Sequence, residues 1–519
     1  MPIKTQTPTG IAAAAFAAAY VQPIEIRDGD LPHIVDQAEK RLIDSGTQIY
    51  QRGSVLVRPV RHDAISAKRF KRAPGALGLI QVDVPYLVEA LSRVAVWHRF
   101  DKRTKMYVLA NCPDRVAVTL LSRVGEWRVP RLWAAIDAPT MRPDGSILQT
   151  PGYDEATGLL FEPGPVTYPP IPEKPTRAQA EAALETLCEL LATFPFVESL
   201  DRYVAVSLML TALIRRTLPS APLGAITAPV MAAGKTLLAD SISILQGGVS
   251  APVMTQPDSD EEAAKTVLSI LGEGDGVVVI DNIEHPLEGA WLCAVLTSES
   301  YSGRRLGTNS MLQVPTSCLW LATGNAVQLR GDLRTRALLC RLDPRMEHPE
   351  EREFDCDLRE EVSRRRTELV AAGLTVLRAF VSADEKPSDY VKPFGRFEVW
   401  SDRVRAPLVW LGRDDPCAST AHLEREDPDR ARHVAMLRAW HSAFSKTPTT
   451  VREAIDRALH EQGLREAMEL VCRDRSGQLD PLRAGKWLRA VEGRIVNGAE
   501  FRRAGMKQGT VLWTALGYE

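Results

Sequence analysis

The sequence predicts an α/β protein whose central third is a parallel sheet flanked by helices. Short, continuous apolar segments at Leu223–Thr227, Gly276–Asp281 and Cys318–Thr323 alternate with helical segments, which is typical of strands buried on both faces. The first of these strands is followed by a loop that ends in Gly-Lys-Thr and then by the helical segment Leu237–Leu245. The chain before this core has a mixed α+β pattern, and the chain after it is mainly helical.

Length and composition indicate a globular protein with several domains. The chain has 519 residues, of which 45% are hydrophobic and 25% charged, so a disordered or fibrous protein is excluded. Lys and Arg total 64 and Asp and Glu total 66, a net charge of -2. A generally basic, histone-like protein is therefore excluded, and any surface that binds nucleic acid must be local.

The cysteines and the N-terminus predict a cytoplasmic protein without a membrane partner. The eight cysteines include no C-x-x-C pair, which argues against a disulfide framework and against a structural zinc site. The Ala-rich stretch from Ile11 to Val21 is shorter than the roughly 20 apolar residues that span a bilayer. It also lacks the basic start and cleavage site of a signal peptide.

Composition shifts predict the domain boundaries. Turn signals at Arg142–Gly145 and Pro151–Asp154 indicate hairpins, and six prolines between Pro163 and Pro175 indicate an extended linker. Thr176 and Gln179 then form a capping-box pattern that opens a helix. We predict a loose arm at 1–33, an α+β domain at 34–162, a linker at 163–175, an α/β core with its preceding helices at 176–345, a helical region at 346–475 and a C-terminal module at 476–519.

The loop after the first core strand predicts a phosphate site. When a strand is followed by a loop ending in Gly-Lys-Thr and then by a helix, backbone N–H groups of the loop and the helix start surround a phosphate. In this arrangement Lys235 would contact the β/γ-phosphates and the Thr236 hydroxyl would bind Mg²⁺. Pro229 and Ala232 stand where such loops often carry glycine, and the alternative is a chance Gly-Lys-Thr at a helix start. The predicted ATP-binding residues are Pro229, Val230, Met231, Ala232, Ala233, Gly234, Lys235, Thr236 and Leu237.

A second core strand ends in an acid. Asp281 closes the buried strand about 45 residues after the loop, which would place a carboxylate beside the Mg²⁺. Asn282 follows where a catalytic Glu is usual. Water activation therefore falls either to Glu284 or to a polarising role of Asn282, and the sequence leaves both open.

Polar residues follow the third strand. Asn325, at the tip of this strand, could orient the attacking water or touch the γ-phosphate, and its alternative is a turn residue. Arg334 and Arg336 follow in a short helix, where an arginine finger would be offered to the nucleotide of a neighbouring subunit; the alternative is solvated surface charge.

Taken in order, these motifs resemble the AAA+ core of replicative helicases encoded by phages and other mobile elements. The likeness is greatest to the superfamily 3 type and to the helicase halves of primase-helicases, and it covers roughly Thr176–Pro344. The resemblance implies a hexameric ring that hydrolyses ATP with Mg²⁺ between subunits and moves along single-stranded DNA through its channel. It assigns the sensor-1 role to Asn325 and the trans-acting finger to Arg336, with Arg334 second.

Two basic segments are candidate DNA contacts. Tyr301–Val314 predicts a hairpin about the turn Gly307-Thr308-Asn309, and related helicases carry a channel hairpin just before sensor 1. Its Arg304 and Arg305 would then contact DNA phosphates, although a solvated surface hairpin is the alternative.

The C-terminus carries seven basic residues and three acids between Asp480 and Lys507. A helix at Leu482–Ala490, then strands at Gly493–Gly498 and Thr510–Trp513, predict a winged-helix module. Its DNA-binding candidates are Lys486, Arg489 and Arg494; the alternative is a small domain that braces the ring.

The leading functional hypothesis is an ATP-driven DNA helicase or translocase. The first alternative is an origin-binding or regulatory protein that uses ATP only to assemble, as the absence of Glu at Asn282 would permit. The second is an AAA+ remodeller of proteins, whose pore loop usually carries an aromatic residue rather than two arginines. Residues 34–162 lack the pattern of paired carboxylates with a His that a primase active site carries, so primase activity is not predicted.

Overall fold

The computed structural model describes residues 22–66, 70–304, 311–352, 357–425, 428–474 and 476–517. The chain forms two compact units. The first runs to Val327 and continues from Arg336 to Ala418; the second comprises Gln328–Thr335 and the chain from Ser419 onward. The domain boundaries predicted from the sequence stay predictions.

A mixed sheet with a parallel centre lies in the first unit. Its spatial order, within the described residues, is Ala337–Arg341, Leu223–Ala228, Leu319–Asn325, Val277–Asp281, Val253–Thr255, Phe70–Arg72 and Ile65–Ser66. The first five strands are parallel, and the last two, from the N-terminal region, are antiparallel. We name Leu223–Ala228 the loop strand, Leu319–Asn325 the middle strand and Val277–Asp281 the acid strand. The predicted parallel core is confirmed.

Apolar strands and tight packing explain this sheet. Five of the six residues of the loop strand are buried, as are the first four of the acid strand. Gly224 permits close packing, because a Cβ there would lie 2.7 Å from Leu208 and from Leu321. The helices of this part are Arg177–Leu190, Ser199–Ile214, Lys235–Gly247, Asp260–Glu273, Ala290–Thr297 and Leu358–Ser382, followed by the shorter Glu398–Trp400 and Ala406–Trp410.

The N-terminal region is α+β. The predicted helix Val84–Val94 forms at those residues, and the Asp83 side chain accepts a hydrogen bond from the Tyr86 backbone N–H at its start. Its other helices are Leu31–Asp44 and Asp114–Ser122. Its remaining strands form three small sheets and a hairpin: Ile24–Ile26 with Trp97–Asp101 and Met106–Ala110; Tyr50–Arg52 with Val55–Arg61 and Leu77–Gln81; Ala134–Ile136 with Gly152–Asp154 and Leu159–Phe161; and Thr140–Met141 with Ile147–Leu148.

A buried ion pair joins the N-terminal region to the central sheet. The guanidinium group of Arg72 is fully buried and donates to Asp275 and to Glu273. Because an unpaired buried charge is costly, this contact fixes the register of the two added strands.

The Pro-rich segment forms no helix or strand, as the prolines predict, but it packs against the first unit. Ile171 is buried within it, and the Tyr168 hydroxyl donates to the Asp137 carbonyl oxygen at 3.0 Å. The capping box of Thr176 and Gln179 then starts the next helix.

The second unit is mainly helical and ends in a small sheet. Its helices are Thr420–Arg425, Pro428–Phe444, Val451–Ala458, Gln462–Cys472 and Pro481–Val491, and its antiparallel strands are ordered Thr449–Thr450, Thr510–Leu516, Glu500–Lys507. Gly331–Thr335 is a short 3-10 helix.

The strand predicted at Gly493–Gly498 is wrong. Positive φ angles at Gly493, Asn497 and Gly498 (72°, 52° and 80°) are incompatible with a continuous strand, so this segment is a loop. The hairpin instead begins at Glu500.

Two further observations concern membrane-spanning helices and disulfide bonds. In the portion of the chain that the structure describes, no helix has the length and apolar character needed to cross a membrane. The seven cysteines among the described residues are all free thiols.

Candidate active site

The predicted phosphate-site residues meet at one edge of the central sheet. The middle strand lies between the loop strand and the acid strand, with Ala228 opposite Asn325 and Ile280 opposite Ala322. Since the carboxyl ends of parallel strands share an edge, the loop after Ala228, Asp281 and Asn325 lie side by side.

The loop ends in a helix N-terminus without a capping side chain. Gly234 is the N-cap, and its φ of 97° is left-handed, which favours glycine. The helix begins at Lys235, and the first-turn N–H groups and the helix dipole face the loop. Ala232 has a φ of 55°, an unfavourable value for a residue with a Cβ, which costs about 1 kcal/mol or more.

The Lys235 ammonium group lies inside this loop. It donates to the Val230 carbonyl oxygen at 2.9 Å and to Asn325 Oδ1 at 2.8 Å. Burial lowers the pKa of Lys235 below its ordinary value, and the nearby Asp281 carboxylate opposes this effect. The structure therefore brings together the loop cation, the acid and the polar tip of the middle strand.

Asp281 is held by a neighbouring hydroxyl group. The buried Thr323 donates from Oγ1 to Asp281 Oδ1, across adjacent strands. The backbone N–H of Ile283 donates to the Thr323 carbonyl oxygen at 2.9 Å, which fixes the chain just after the acid. Gly324 is needed here, because a Cβ would lie 2.8 Å from the Ile283 carbonyl oxygen.

Asn282 and Glu284 contact each other. Asn282 has a left-handed φ of 55°, and its Nδ2 donates to Glu284 Oε1 at 2.9 Å. Both side chains are exposed. The hydrogen bond joins the two residues between which the sequence could not choose.

A cavity of about 840 Å³ adjoins the phosphate loop. It is lined by loop and helix residues from Ala232 to Leu237, by Glu189, Leu190 and Thr193–Pro195, and by basic, acidic and apolar residues at Arg352 and around the start of helix Leu358–Ser382. The aromatic ring of Phe194 lies against Gly234, where a Cβ would be 3.4 Å from the ring. The cavity is large enough for a small organic ligand.

The two candidate arginine fingers differ in burial. Arg336 is 7% exposed and donates from Nη1 to the Cys293 carbonyl oxygen at 3.1 Å. Arg334, in the second unit, is half-buried, and its Nε lies 3.4 Å from the Gly331 carbonyl oxygen. A finger must contact the nucleotide of another subunit, so burial makes Arg336 the weaker candidate and reverses the order expected from sequence.

The predicted hairpin is present as the strands Ser300–Arg304 and Met311–Pro315. Arg304 is exposed at its outer end, while Arg305 and the predicted turn lie outside the described residues. The turn before strand Val55–Arg61 packs on the hairpin, because a Cβ at Gly53 would lie 2.3 Å from the Gln313 carbonyl oxygen.

The basic candidates of the second unit are exposed. Lys486 and Arg489 lie three residues apart on helix Pro481–Val491, and Arg494 lies in the loop that follows. None of the three forms a salt bridge with any residue that the structure describes. The hairpin arginines Arg502 and Arg503, in contrast, pair with Glu500 and Glu492.

Sequence reasoning did not select Thr323, nor the cavity residues that lie outside the loop and the start of its helix. The signal for Thr323 was its position in a strand next to Asp281, but strand order cannot be read from the sequence alone. Phe194 precedes the core strands and meets the loop only in the folded chain.

Comparisons with known proteins give weak likenesses. No family model matches the chain, and no curated protein matches it. Among solved structures, it is similar to the apo C-terminal region of NrS-1, at 11% identity over 92% of this chain and 98% of that chain, with a TM-score of 0.41.

Two further similarities are to the SCCmec type IV Cch active helicase and to JCV helicase. The first has 10% identity over 89% of this chain and 94% of that chain, with a TM-score of 0.34. The second has 13% identity over 44% of this chain and 68% of that chain, with a TM-score of 0.21. These identities and scores are too low to establish a shared activity.

Proposed function

We propose that this protein is an ATP-driven DNA helicase or translocase with an AAA+ core of the superfamily 3 type, working as a hexameric ring in the replication of a phage or other mobile element. The observation that carries the proposal is the joint placement of Lys235, Asp281 and Asn325 beside a helix N-terminus. A cation, a carboxylate and an amide around an uncapped helix start suit a nucleoside triphosphate.

The residues of this edge fit ATP and Mg²⁺. Lys235 and the first-turn N–H groups would bind the β/γ-phosphates, and the cavity beside Phe194 has the volume for the nucleoside. The Thr236 hydroxyl and the Asp281 carboxylate are hard oxygen donors of the kind that Mg²⁺ prefers. When bound, Mg²⁺ would neutralise charge on the phosphate oxygens.

The remaining residues of the site would position and deprotonate the attacking water. Glu284 is the proton acceptor in this proposal, with Asn282 holding its carboxylate at 2.9 Å. Asn325, which now accepts from Lys235, would turn to the attacking water or the γ-phosphate when the ammonium group moves to the phosphates. Thr323 keeps Asp281 oriented throughout.

Local basic groups support the DNA part of the proposal. Arg304 on the hairpin would contact the strand in the channel. Lys486, Arg489 and Arg494, on a helix and loop that precede an antiparallel hairpin, would bind DNA through a winged-helix-like module. Local basic groups of this kind would allow a chain whose net charge is -2 to bind DNA.

A second candidate function is favoured by one observation. Asn282 occupies the position of the usual catalytic Glu, and its amide group donates a hydrogen bond to Glu284. If this pair cannot activate water, the protein would bind ATP to assemble on DNA and would hydrolyse it weakly or not at all.

Two measurements test the proposal. The first is ATPase activity with and without single-stranded DNA, and the second is native mass spectrometry of the protein in the presence of a non-hydrolysable ATP analogue. A helicase gives DNA-stimulated turnover and a hexamer mass. Nucleotide-dependent assembly without turnover would support the second candidate. Absence of ATP binding would overturn both.

A further inference from the structure

In the sheet of Ile24–Ile26, Trp97–Asp101 and Met106–Ala110, Ile24 and Trp97 are buried on one face, whereas residues Met106 to Leu109 of the third strand are exposed on both faces. Side chains alternate across a strand, and Ile24 and Trp97 face the core, where the Trp97 indole N–H donates to the Leu91 carbonyl oxygen at 2.9 Å. In the paired register, His98 lies opposite Leu109 and Phe100 opposite Tyr107. These four side chains therefore share the face directed away from the core.

This outer face is unusually aromatic and accessible. Phe100 is 46% exposed, Tyr107 44% and Leu109 80%. The rings of Phe100 and Tyr107 meet edge to face with centroids 5.4 Å apart, and the ring of His98 lies 6.4 Å from that of Tyr107. The Tyr107 hydroxyl donates to Glu25 Oε2 at 3.0 Å, which holds its ring in place. A cluster of exposed aromatic rings on a sheet leaves apolar surface in contact with water, and such patches commonly mark binding sites.

A basic turn lies at the end of this face. The turn at residues 102–105 contains Lys102, Arg103 and Lys105, and the acid Asp101 stands directly before it. Asp101 is committed to the turn, where it accepts from the Arg103 backbone N–H and the Thr104 hydroxyl. These three basic side chains are exposed and form no salt bridge with the residues that the structure describes.

We propose that this face, defined by His98, Phe100, Tyr107 and Leu109 with the basic turn, is a stacking platform for single-stranded DNA. Bases stack on aromatic rings and phosphates pair with basic side chains, whereas lysine is depleted from protein interfaces. The platform is separate from the phosphate loop and goes beyond the proposed function. Only the choice of DNA rather than RNA rests on that function.

Photo-crosslinking tests where the strand lies. The full-length protein, without nucleotide, is irradiated with an oligodeoxythymidine of about 20 residues that carries 5-iodouracil, and the adducts are mapped by mass spectrometry. We expect adducts on Phe100 or Tyr107. Adducts confined to other segments would overturn the proposal. Because the reaction contains no nucleotide, its outcome does not depend on ATP binding or hydrolysis and is therefore separate from the fate of the proposed function.

Fluorescence anisotropy with the same DNA tests the chemistry. Phe100→Ala/Tyr107→Ala and Phe100→Leu/Tyr107→Leu should both weaken binding about tenfold or more, because both remove the rings. Val118→Ala, at an exposed position of a neighbouring helix, is the control, and thermal unfolding checks that each variant folds. If the Leu variant binds as the parent does, the face is an apolar contact for a protein or a second copy, and the proposal fails.

The salt dependence of binding tests the basic turn. Lys102→Gln/Arg103→Gln/Lys105→Gln should reduce the slope of log K against log salt by about 2, since each lost phosphate contact contributes about 0.7. Arg93→Gln, at an exposed arginine paired with Glu89, should leave the slope unchanged. An unchanged slope in the triple variant would overturn the phosphate contacts. Tighter binding of oligouridine than of the DNA would overturn the choice of DNA.

Discussion

The Lys235 ammonium group donates a hydrogen bond to the side-chain oxygen of Asn325 at 2.8 Å. This bond joins the loop strand and the middle strand through the two side chains that the proposed mechanism places on the phosphates. A triphosphate that draws the ammonium group toward its oxygens would replace Asn325 as its partner. Nucleotide binding would thereby release Asn325 for the water or the γ-phosphate.

Replacement of Lys235 tests the phosphate site. Lys235→Ala should raise the Kd for ATP by about 10²-fold, because a charged hydrogen-bond donor to phosphate is lost. Isothermal calorimetry measures this directly. Lys265→Ala is the matched control, since Lys265 lies outside the phosphate site and forms an exposed pair with Glu261. Unchanged affinity in Lys235→Ala would contradict the site.

Replacement of Thr323 tests the support of Asp281. Thr323→Val keeps the shape but removes the hydroxyl donor to the carboxylate, so Mg²⁺-dependent turnover should fall about tenfold or more. Thr119→Val is the control, because the Thr119 hydroxyl donates to a carbonyl oxygen of its own helix. Equal turnover in the two variants would show that the hydroxyl group has no role in hydrolysis.

Glu284 and Asn282 can be separated by mutation. Glu284→Gln should reduce turnover by about 10²-fold with ATP affinity largely kept, because the proton acceptor is lost while phosphate binding is not. Glu288→Gln, at another exposed acid of the same loop, should have no effect. If Asn282→Ala abolishes turnover and Glu284→Gln does not, the polarising role of Asn282 is the correct one.

The burial of Arg336 changes the arginine-finger prediction. Arg334→Ala should retain ATP binding and lose about 10³-fold in turnover, whereas Arg330→Ala, at an exposed arginine nearby in sequence, should not. Arg336→Ala should instead lower the unfolding temperature, because its buried guanidinium group bonds to the Cys293 carbonyl oxygen.

Mixing variants tests whether the finger acts in trans. Arg334→Ala mixed with Lys235→Ala should recover part of the activity, since some interfaces combine an intact loop with an intact finger. Native mass spectrometry must first show mixed oligomers. If such oligomers form and stay inactive, the trans-acting role of Arg334 is wrong or all sites must act together.

His433 should make the second unit sensitive to acid. It is buried between Phe501 and Trp487, and burial, followed by the charge of Arg494, lowers the pKa of His433 from 6.5 to about 4. Above pH 6.5 the ring is neutral in both states. Between pH 6.5 and 4 the unfolded chain binds a proton that the folded chain does not, so stability falls as the pH falls.

Hydrogen exchange of the hairpin Glu500–Leu516, measured at pH 7 and pH 5 with correction for the intrinsic rate, checks this expectation. Protection should decrease at pH 5 in the parent protein and change less in His433→Phe. Glu453, whose pKa is lowered from 4.5 to about 2 chiefly by its hydrogen bond from Lys507, also makes the fold less stable as the pH falls through 4.5, but it does so equally in the parent protein and in His433→Phe. Equal pH dependence in both proteins would exclude His433.

The sequence by itself determined the local features of this protein. The helix Val84–Val94, the capping box of Thr176 with Gln179 and the central apolar strands follow from residue periodicity and capping chemistry, which act over a few neighbours. The strand–loop–helix at Lys235 was predictable for the same reason. The prediction of a strand at Gly493–Gly498 rested on the apolar residues in this segment. It was wrong because Gly493, Asn497 and Gly498 adopt positive φ angles, which place the segment in a loop.

Only the tertiary structure decided which of these elements are neighbours. The partners Thr323 with Asp281 and Lys235 with Asn325 depend on the order of strands in the sheet, and Arg336 is buried by a helix more than 40 residues earlier. The exposed rings of Phe100 and Tyr107 depend on which face of their sheet meets the core. Such relationships arise from long-range packing, in which burial and chain connectivity jointly select one arrangement of locally similar strands.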